Sequence, residues 1–305
     1  MSIYLVCEGP TDGLDMRVLN LLIVNKLGRE VLIEPVGGDG SVGSVASWLE
    51  ARSRIQRSDG TWSRPQDRVY AVADRNYRSA KEAEQIWNHR SKRRWLWRRH
   101  EIENYLLDPR VVTEAFRSFD ATGVRGAENL PRDAQVVFAQ LQQLAQPMLD
   151  THAGWLTYWH LNSLKNVEAN DTRLLKPTDT MPPWSSPPKS RDEWLSYLHL
   201  EGLRFKQACA HLIEDSIFDE SAVTQAYDRV LAQVTQPDFF SSGQFLLDLG
   251  GHELMSALCA YINRKGVSHL SNSDLETELI NALDRLYVPG FFGPDDFADL
   301  ASRLI

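Results

Sequence analysis

Three short acidic segments of this sequence carry side chains that could hold a divalent cation. The first contains Glu8 and Asp12, the second contains Asp74, and the third contains Glu101 and Glu103. Mg²⁺ and Mn²⁺ prefer oxygen ligands, and a bound ion polarises a phosphoryl oxygen and lowers the pKa of its water. Three separated carboxylate segments therefore favour an enzyme that uses such an ion.

Two of these segments follow apolar runs that read as β-strands. Glu8 comes directly after residues 3–7, and Asp74 comes directly after residues 68–73. Both are expected at the carboxyl edge of a sheet, where α/β folds bind their ligands, so the two side chains could share one ion. Asn76 would face the same side as Asp74 if the backbone stays extended, and its amide oxygen could then ligate.

Structural roles compete with these assignments. Asp12 precedes an apolar-periodic segment and fits the N-cap of a helix. Glu101 and Glu103 could form ion pairs with the neighbouring Arg98 or Arg99. Glu8 has no comparable structural duty, because no helix has begun where its strand ends.

Strand and helix signals alternate through the first 110 residues, around these acids. This alternation predicts a mostly parallel sheet that is flanked by helices. The predicted strands are 3–7, 31–35, 68–73 and 94–97, and the predicted helices are 12–27, 44–54 and 80–88.

From about residue 109 the strand signals nearly vanish. The predicted helices are 111–119, 133–144, 191–214, 220–234, 242–263 and 273–286, with a proline-rich loop at 174–190. We therefore predict an α/β domain over residues 1–110 and a largely α-helical region over 111–305 that packs on it.

The net charge of −8 is unevenly distributed. Residues 1–110 hold 18 Lys and Arg against 15 Asp and Glu, whereas residues 111–305 hold 15 against 26. Cations beside the acidic segments suit a phosphodiester substrate, although a solvated charged edge is the competing interpretation. The candidate nucleic-acid-binding residues are Arg90, Lys92, Arg93, Arg94, Arg98 and Arg99.

Other functional classes find little support in the sequence. No apolar run approaches the ~20 residues that span a bilayer, and the first residues read as a core strand, so we expect a cytoplasmic protein without membrane contact. Cys7, Cys209 and Cys259 lie in apolar patterns and form no C-x-x-C pair, which argues against a zinc site.

The acidic motifs together resemble the TOPRIM domain. Glu8-Gly9-Pro10-Thr11-Asp12 is similar to its E-G-x-x-D signature, and Asp74-Arg75-Asn76 is similar to its D-x-D. The string from Arg99 to Leu107 resembles the R-x-E-I-E-N-Y-L string of the overcoming-lysogenization-defect nucleases and of TOPRIM proteins that accompany ATPases. The latter include the TOPRIM effector of the PARIS anti-phage system. Residues 250–254 show a weaker similarity to a G-K-x-L segment that such proteins carry.

The resemblance implies a Rossmann-like fold and Mg²⁺- or Mn²⁺-dependent cleavage of DNA or RNA. It implies that the catalytic residues are Glu8, Asp74 and Glu103. Glu8 would be a metal ligand or a general acid or base, Asp74 and Glu103 would be metal ligands with Glu101 second to Glu103, and Asp12 would assist through water. It also implies an antiviral toxin effector controlled by an AAA- or ABC-type ATPase. We include a homodimer among the expected assemblies.

One departure from the family pattern keeps a second hypothesis open. Asn76 stands where D-x-D has its second acid, so one negative charge is missing. The alternative function is therefore a catalytically impaired TOPRIM-fold subunit that regulates or binds within an ATPase complex. The acidic C-terminal half agrees with this alternative, whereas Glu8, Asp74, Glu103 and the basic strip favour the nuclease.

Overall fold

The computed structural model describes residues 2–37, 39–58, 60–63, 65–78, 80–88, 93–168, 188–208, 218–267, 269–290 and 292–304. Arg90, Lys92 and Cys209 lie outside the described residues, as does the predicted proline-rich loop up to residue 187.

The described strands form one parallel four-stranded sheet in the order β2-β1-β3-β4. They are β1 (Ile3–Cys7), β2 (Leu32–Pro35), β3 (Arg68–Ala73) and β4 (Arg94–Leu96). The two central strands are continuous apolar runs, as expected for strands that are covered on both faces. Tyr4 lies opposite Leu32 on one side and Val69 on the other, and this register aligns the carboxyl ends of β1 and β3. The predicted α/β class with a mainly parallel sheet is confirmed.

Helices that follow the strands flank the sheet. They are α1 (Leu14–Leu19), which continues as a π-helix (Asn20–Lys26), α2 (Asp39–Arg52) and α3 (Ala80–Asn88). After β4 come α4 (Glu103–Leu106) and α5 (Pro109–Ala121), which both pack against the later helix Asn272–Leu286. Val42, Ala46 and Leu49 of α2 form one cluster with Val6 and Val69 of the sheet. This packing holds the carboxyl edges of the central strands in a fixed position.

The remaining described chain is almost entirely helical, as predicted. Its helices are α6 (Ala134–Ala145), α7 (Leu149–Glu168), α8 (Arg191–Ala208), α9 (Glu220–Val234), α10 (Pro237–Ser241), α11 (Phe245–Asp248), α12 (Gly251–Arg264), α13 (Asn272–Leu286) and α14 (Asp295–Arg303). None of the helices in the described residues is both long and apolar enough to cross a bilayer.

Several element boundaries differ from the prediction. The first helix starts at Leu14 and its N-cap is Gly13, so Asp12 is not the N-cap. Asp12 has a φ of 62° and so adopts a left-handed conformation before the helix begins. The predicted helix 242–263 is interrupted, because the backbone turns extended at Leu249 and Gly250 before α12 begins. Helices α7 and α14 were not predicted, although each carries buried apolar residues at helical spacing.

The chain divides into two compact units, and the division falls within α6. One unit comprises residues 1–141 and 250–305, and the other comprises residues 142–249. In the second unit Trp155 of α7 contacts Trp194 of α8, with ring centroids 5.3 Å apart. The predicted boundary near residue 110 follows a change of secondary structure, whereas this division follows packing and places α12, α13 and α14 with the sheet.

Candidate functional site

Glu8 and Asp74 meet at the carboxyl ends of the two central strands. Each residue directly follows its strand, and the parallel register brings the two ends side by side. Oε1 of Glu8 accepts a hydrogen bond of 2.9 Å from the backbone N–H of Asp74. Glu8 is 9% exposed. The structure therefore places these two predicted site residues together at the edge where the sequence put them.

Asp15 of α1 is a third carboxylate at this edge and is buried, as Glu8 is; it was not among the predicted ligands. Burial raises its pKa to about 8, and the negative charges of Glu103 and Glu8 add to the effect. The side chain lies beneath the turn after β1: a Cβ added to Gly9 would stand 3.2 Å from Oδ2 of Asp15. The absence of a side chain at Gly9 thus allows Asp15 to approach the strand end.

Asp74 has the least satisfied carboxyl group of the site. Its Oδ1 is inaccessible to solvent and accepts no hydrogen bond from the described residues. Burial raises the pKa of Asp74 well above its usual value, and the negative charges of Asp15 and Glu8 raise it further. A buried oxygen without a donor is costly for a folded protein, and the described residues supply no cation to this carboxyl group.

Glu103 completes the group of carboxylates that act on one another's ionisation. It opens α4, and burial together with the charge of Glu101 raises its pKa to about 7. Nδ1 of His252 lies 3.9 Å from Oε1 of Glu103, and the imidazole is largely exposed. We refer below to Glu8, Asp15, Asp74 and Glu103 as the acidic cluster.

Glu101 differs from the acidic cluster because both of its oxygens are engaged. Oε2 accepts a hydrogen bond of 2.9 Å from the backbone N–H of His252, and Oε1 lies 3.3 Å from Nδ1 of the buried His100. Burial opposes its ionisation, but the hydrogen bonds from His100 and from the backbone N–H groups of His252 and Gly251 outweigh that effect and lower its pKa. These contacts compete with metal ligation by Glu101.

The first turn of α12 packs closely against α4 at this side of the site. A Cβ added to Gly251 would stand 2.7 Å from Oδ1 of Asn104 and 2.8 Å from Cβ of Glu103. Oδ1 of Asn104 also accepts the backbone N–H of Glu101 at 2.9 Å. The segment 250–254, which is only weakly similar to a G-K-x-L segment, therefore lies against the predicted catalytic Glu103.

Asp12 and Asn76 lie in left-handed turns rather than in extended chain. Their φ angles are 62° and 52°, a region that aspartate and asparagine tolerate better than most residues. Asp12 is exposed. The backbone N–H of Asn76 donates to the carbonyl of His100 at 3.1 Å. The condition under which Asn76 was expected to face the same side as Asp74, an extended backbone, is not met.

The donor chemistry of the acidic cluster fits a hard cation. Carboxylates predominate, and burial raises the pKa values of Asp15 and Asp74, for which the described residues contain no ion-pair partner. Within the described part of the chain, however, no three His, Cys, Asp or Glu side chains already stand close enough to ligate one ion. The arrangement is a concentration of carboxyl groups rather than a closed metal cage.

The predicted basic strip is divided between interior and surface. Arg98 pairs with Glu84 and with Asp296, both at 2.8 Å, and Nη1 of Arg99 donates to the carbonyl of Asn104. Neither arginine forms an ion pair with Glu101 or Glu103 in the described contacts. Arg93 and Arg94 are exposed.

Asp15 could have been found from the sequence. It lies at helical spacing with Val18, Leu19 and Leu22, all of which are buried. An acid within the apolar face of a helix signals either a buried pair or a site.

A scan against models of protein families gives no match for this sequence, and a search of curated proteins finds no significant similarity.

Proposed function

We propose that this protein is a divalent-cation-dependent nuclease of the TOPRIM type that cleaves phosphodiester bonds in DNA or RNA. The observation that carries the proposal is the acidic cluster at the carboxyl edge of a parallel sheet, with Oδ1 of Asp74 buried and unpaired among the described residues. Perturbed carboxylates at such an edge mark a functional site more often than a structural one.

Glu8, Asp74 and Glu103 are the residues that would hold Mg²⁺ or Mn²⁺. The ion would offset their mutual repulsion, polarise a phosphoryl oxygen and lower the pKa of a bound water. Glu101 holds the start of α12 beside α4 and so positions Glu103.

The biological setting of this nuclease rests on the sequence resemblance. We propose a cytoplasmic antiviral effector that is restrained or delivered by an AAA- or ABC-type ATPase, with a homodimer as an alternative assembly. The helices of the second unit, which carry none of the acidic cluster, offer surface for such a partner.

Glu8→Gln tests the nuclease directly, because it keeps the side-chain volume and removes the charge that a cation requires. With Mn²⁺ and labelled DNA and RNA as substrates, we expect cleavage to fall by more than about 100-fold. The matched control is Glu30→Gln, the same change at an exposed residue ahead of β2. Circular dichroism should show both variants folded, and full activity of Glu8→Gln would remove this residue from the reaction.

A regulatory or binding subunit is the second candidate function. Asn76 and the lack of a preformed group of metal ligands in the described residues favour it. If the wild-type protein cleaves neither DNA nor RNA with either metal, yet forms a stable complex with an ATPase encoded beside it, this candidate replaces the nuclease.

A further inference from the structure

The acid that is missing at Asn76 leaves the proposed metal site one carboxylate short. Asn76 brings no charge, and its backbone leaves the extended conformation and bonds to the carbonyl of His100. A neutral amide in a left-handed turn is a weak substitute for a carboxylate at a hard cation. Any replacement charge has to come from elsewhere in the fold.

Asp12 and Glu101 do not meet this need. Asp12 is exposed, so water already stabilises its charge. Glu101 is buried, but the backbone N–H of His252 and the ring of His100 satisfy its oxygens. Neither carboxylate therefore gains much from a cation.

Asp15 has the required combination of place and chemistry. It is 8% exposed, lies under the turn at Gly9 that joins Glu8 to α1, and has no cationic partner among the described residues. Glu8, next to that turn, accepts the backbone N–H of Asp74 at 2.9 Å, so the turn connects Asp15 to the end of β3. A positive ion at this edge would offset two features: an acid without a described cationic partner on the buried face of a helix, and an oxygen of Asp74 that lacks a described donor.

We propose that Asp15 supplies the negative charge that Asn76 lacks, so that it joins Glu8, Asp74 and Glu103 in holding the divalent cation. This inference rests on the proposed function, since it names a further ligand of the same site. It also explains how a D-x-N sequence could retain a cation: the second acid comes from the first helix instead of from the turn after β3.

Manganese binding by the purified chain tests the assignment without any need for activity. Isothermal titration of Mn²⁺ into Asp15→Asn should give an affinity at least about tenfold weaker than wild type, as expected for loss of a charged ligand. The control is Asp192→Asn, the same change at an acid whose side chain is 95% exposed and lies outside the acidic cluster, and it should stay within about threefold of wild type. Adding Asn76→Asp to Asp15→Asn should recover part of the lost affinity.

Thermal melting separates a ligand from a structural residue. Without metal and at about pH 9, where Asp15 is ionised in wild type, Asp15→Asn should melt at a higher temperature, because the change removes one of several repelling charges. The rise in melting temperature that Mn²⁺ causes in wild type should shrink in the variant. A lower metal-free melting temperature would make Asp15 structural and overturn the inference.

The outcomes distinguish this inference from the function on which it rests. Equal Mn²⁺ affinity of wild type and Asp15→Asn, with binding lost in Asp74→Asn, would overturn the role of Asp15 and leave the proposed nuclease intact. Absence of Mn²⁺ binding by the wild type would overturn the cation itself, and with it the proposed function.

Discussion

Two groups of acids in the sheet-containing unit are treated in opposite ways by the fold. Beside β4, Asp296 accepts hydrogen bonds from Arg98 and Tyr105, and Asp299 accepts two from Arg303. We call Asp296 and Asp299 the arginine-paired acids. At the edge of the central strands, the acidic cluster gathers four carboxylates without a described cation beside Asp15 or Asp74.

The ionisation of the two groups follows this difference. Burial works against the charge of Asp299, but hydrogen bonds from Arg303 and Trp87 prevail and lower its pKa. In the acidic cluster burial prevails, and neighbouring acids reinforce it, so the pKa values of Asp15 and Glu103 rise to about 8 and about 7.

The contrast separates acids that stabilise this fold from acids that burden it. Where an acid serves packing, the chain supplies an arginine, even from 198 positions away in sequence, as with Arg98 and Asp296. An unpaired buried carboxylate costs stability, and such groups concentrate at functional sites. Stability alone therefore does not explain why the acidic cluster consists of carboxyl groups.

The strongest way to break this comparison is to remove an arginine-paired acid. Asp296→Ala should lower the free energy of unfolding by about 3 kcal/mol, because Tyr105 and Arg98 both lose a partner in a site that excludes most water. Urea denaturation followed by circular dichroism measures the change. Asp296→Asn, which keeps an acceptor, should lose less.

An unchanged unfolding midpoint for Asp296→Ala would contradict the comparison. It would mean that the arginine pairs contribute nothing to stability and that pairing does not distinguish the two groups of acids.

The same comparison shows where sequence reasoning succeeded. The order and ends of the strands followed from local apolar runs, so the sequence alone could place Glu8 and Asp74 at one edge of the sheet. Their meeting depends only on parallel pairing of β1 and β3, which alternation with helices already implied.

Contacts over long sequence separations could not be predicted in this way. The hydrogen bond to Glu101 comes from His252 in α12, which begins at residue 251. The ion pair of Arg98 with Asp296 depends on α14, which begins at residue 295. Single-sequence patterns carry no information on which late helix meets which early turn. Asp15 is a different case, because its position on the apolar face of the first helix is visible in the sequence.

A pH titration of stability sharpens the comparison at the acidic cluster. The pKa of Asp15 rises from an ordinary value of 3.8 to about 8, and that of Glu103 rises from 4.5 to about 7. The folded protein therefore binds more protons than the unfolded chain between these values. Without metal, stability should fall as pH rises from about 4 to 8, by up to ~1.4 kcal/mol per pH unit for each net proton.

Melting temperatures across this range, in a chelating buffer, measure the slope. Asp15→Asn combined with Glu103→Gln should flatten it, and saturating Mn²⁺ should do the same in wild type because the ion stabilises the ionised forms. Stability that rises with pH between about 5 and 8 in metal-free wild type would contradict the raised pKa values.

The smallest expected effect concerns the arginines, which show the same division as the acids. Arg98 and Arg99 are engaged inside the unit, whereas Arg93 and Arg94 are exposed, the latter donating to Oγ of Ser47 at 2.7 Å. Only exposed cations can exchange their counterions for phosphates. Arg93→Ala with Arg94→Ala should therefore weaken DNA binding modestly and reduce the salt slope, log affinity against log salt, by about 1.8 for duplex DNA.

Fluorescence anisotropy with labelled duplex at several salt concentrations measures this slope, in the presence of Ca²⁺ to prevent cleavage. The matched control removes two exposed arginines elsewhere, Arg29→Ala with Arg229→Ala, and should leave the slope nearly unchanged. An equal reduction in both double variants would indicate general charge rather than a binding strip. Unchanged affinity and slope in the Arg93 and Arg94 variant would exclude these two residues from nucleic-acid contact. It would favour the regulatory subunit over the nuclease, because the exposed arginines in the described part of the strip would then bind no phosphate.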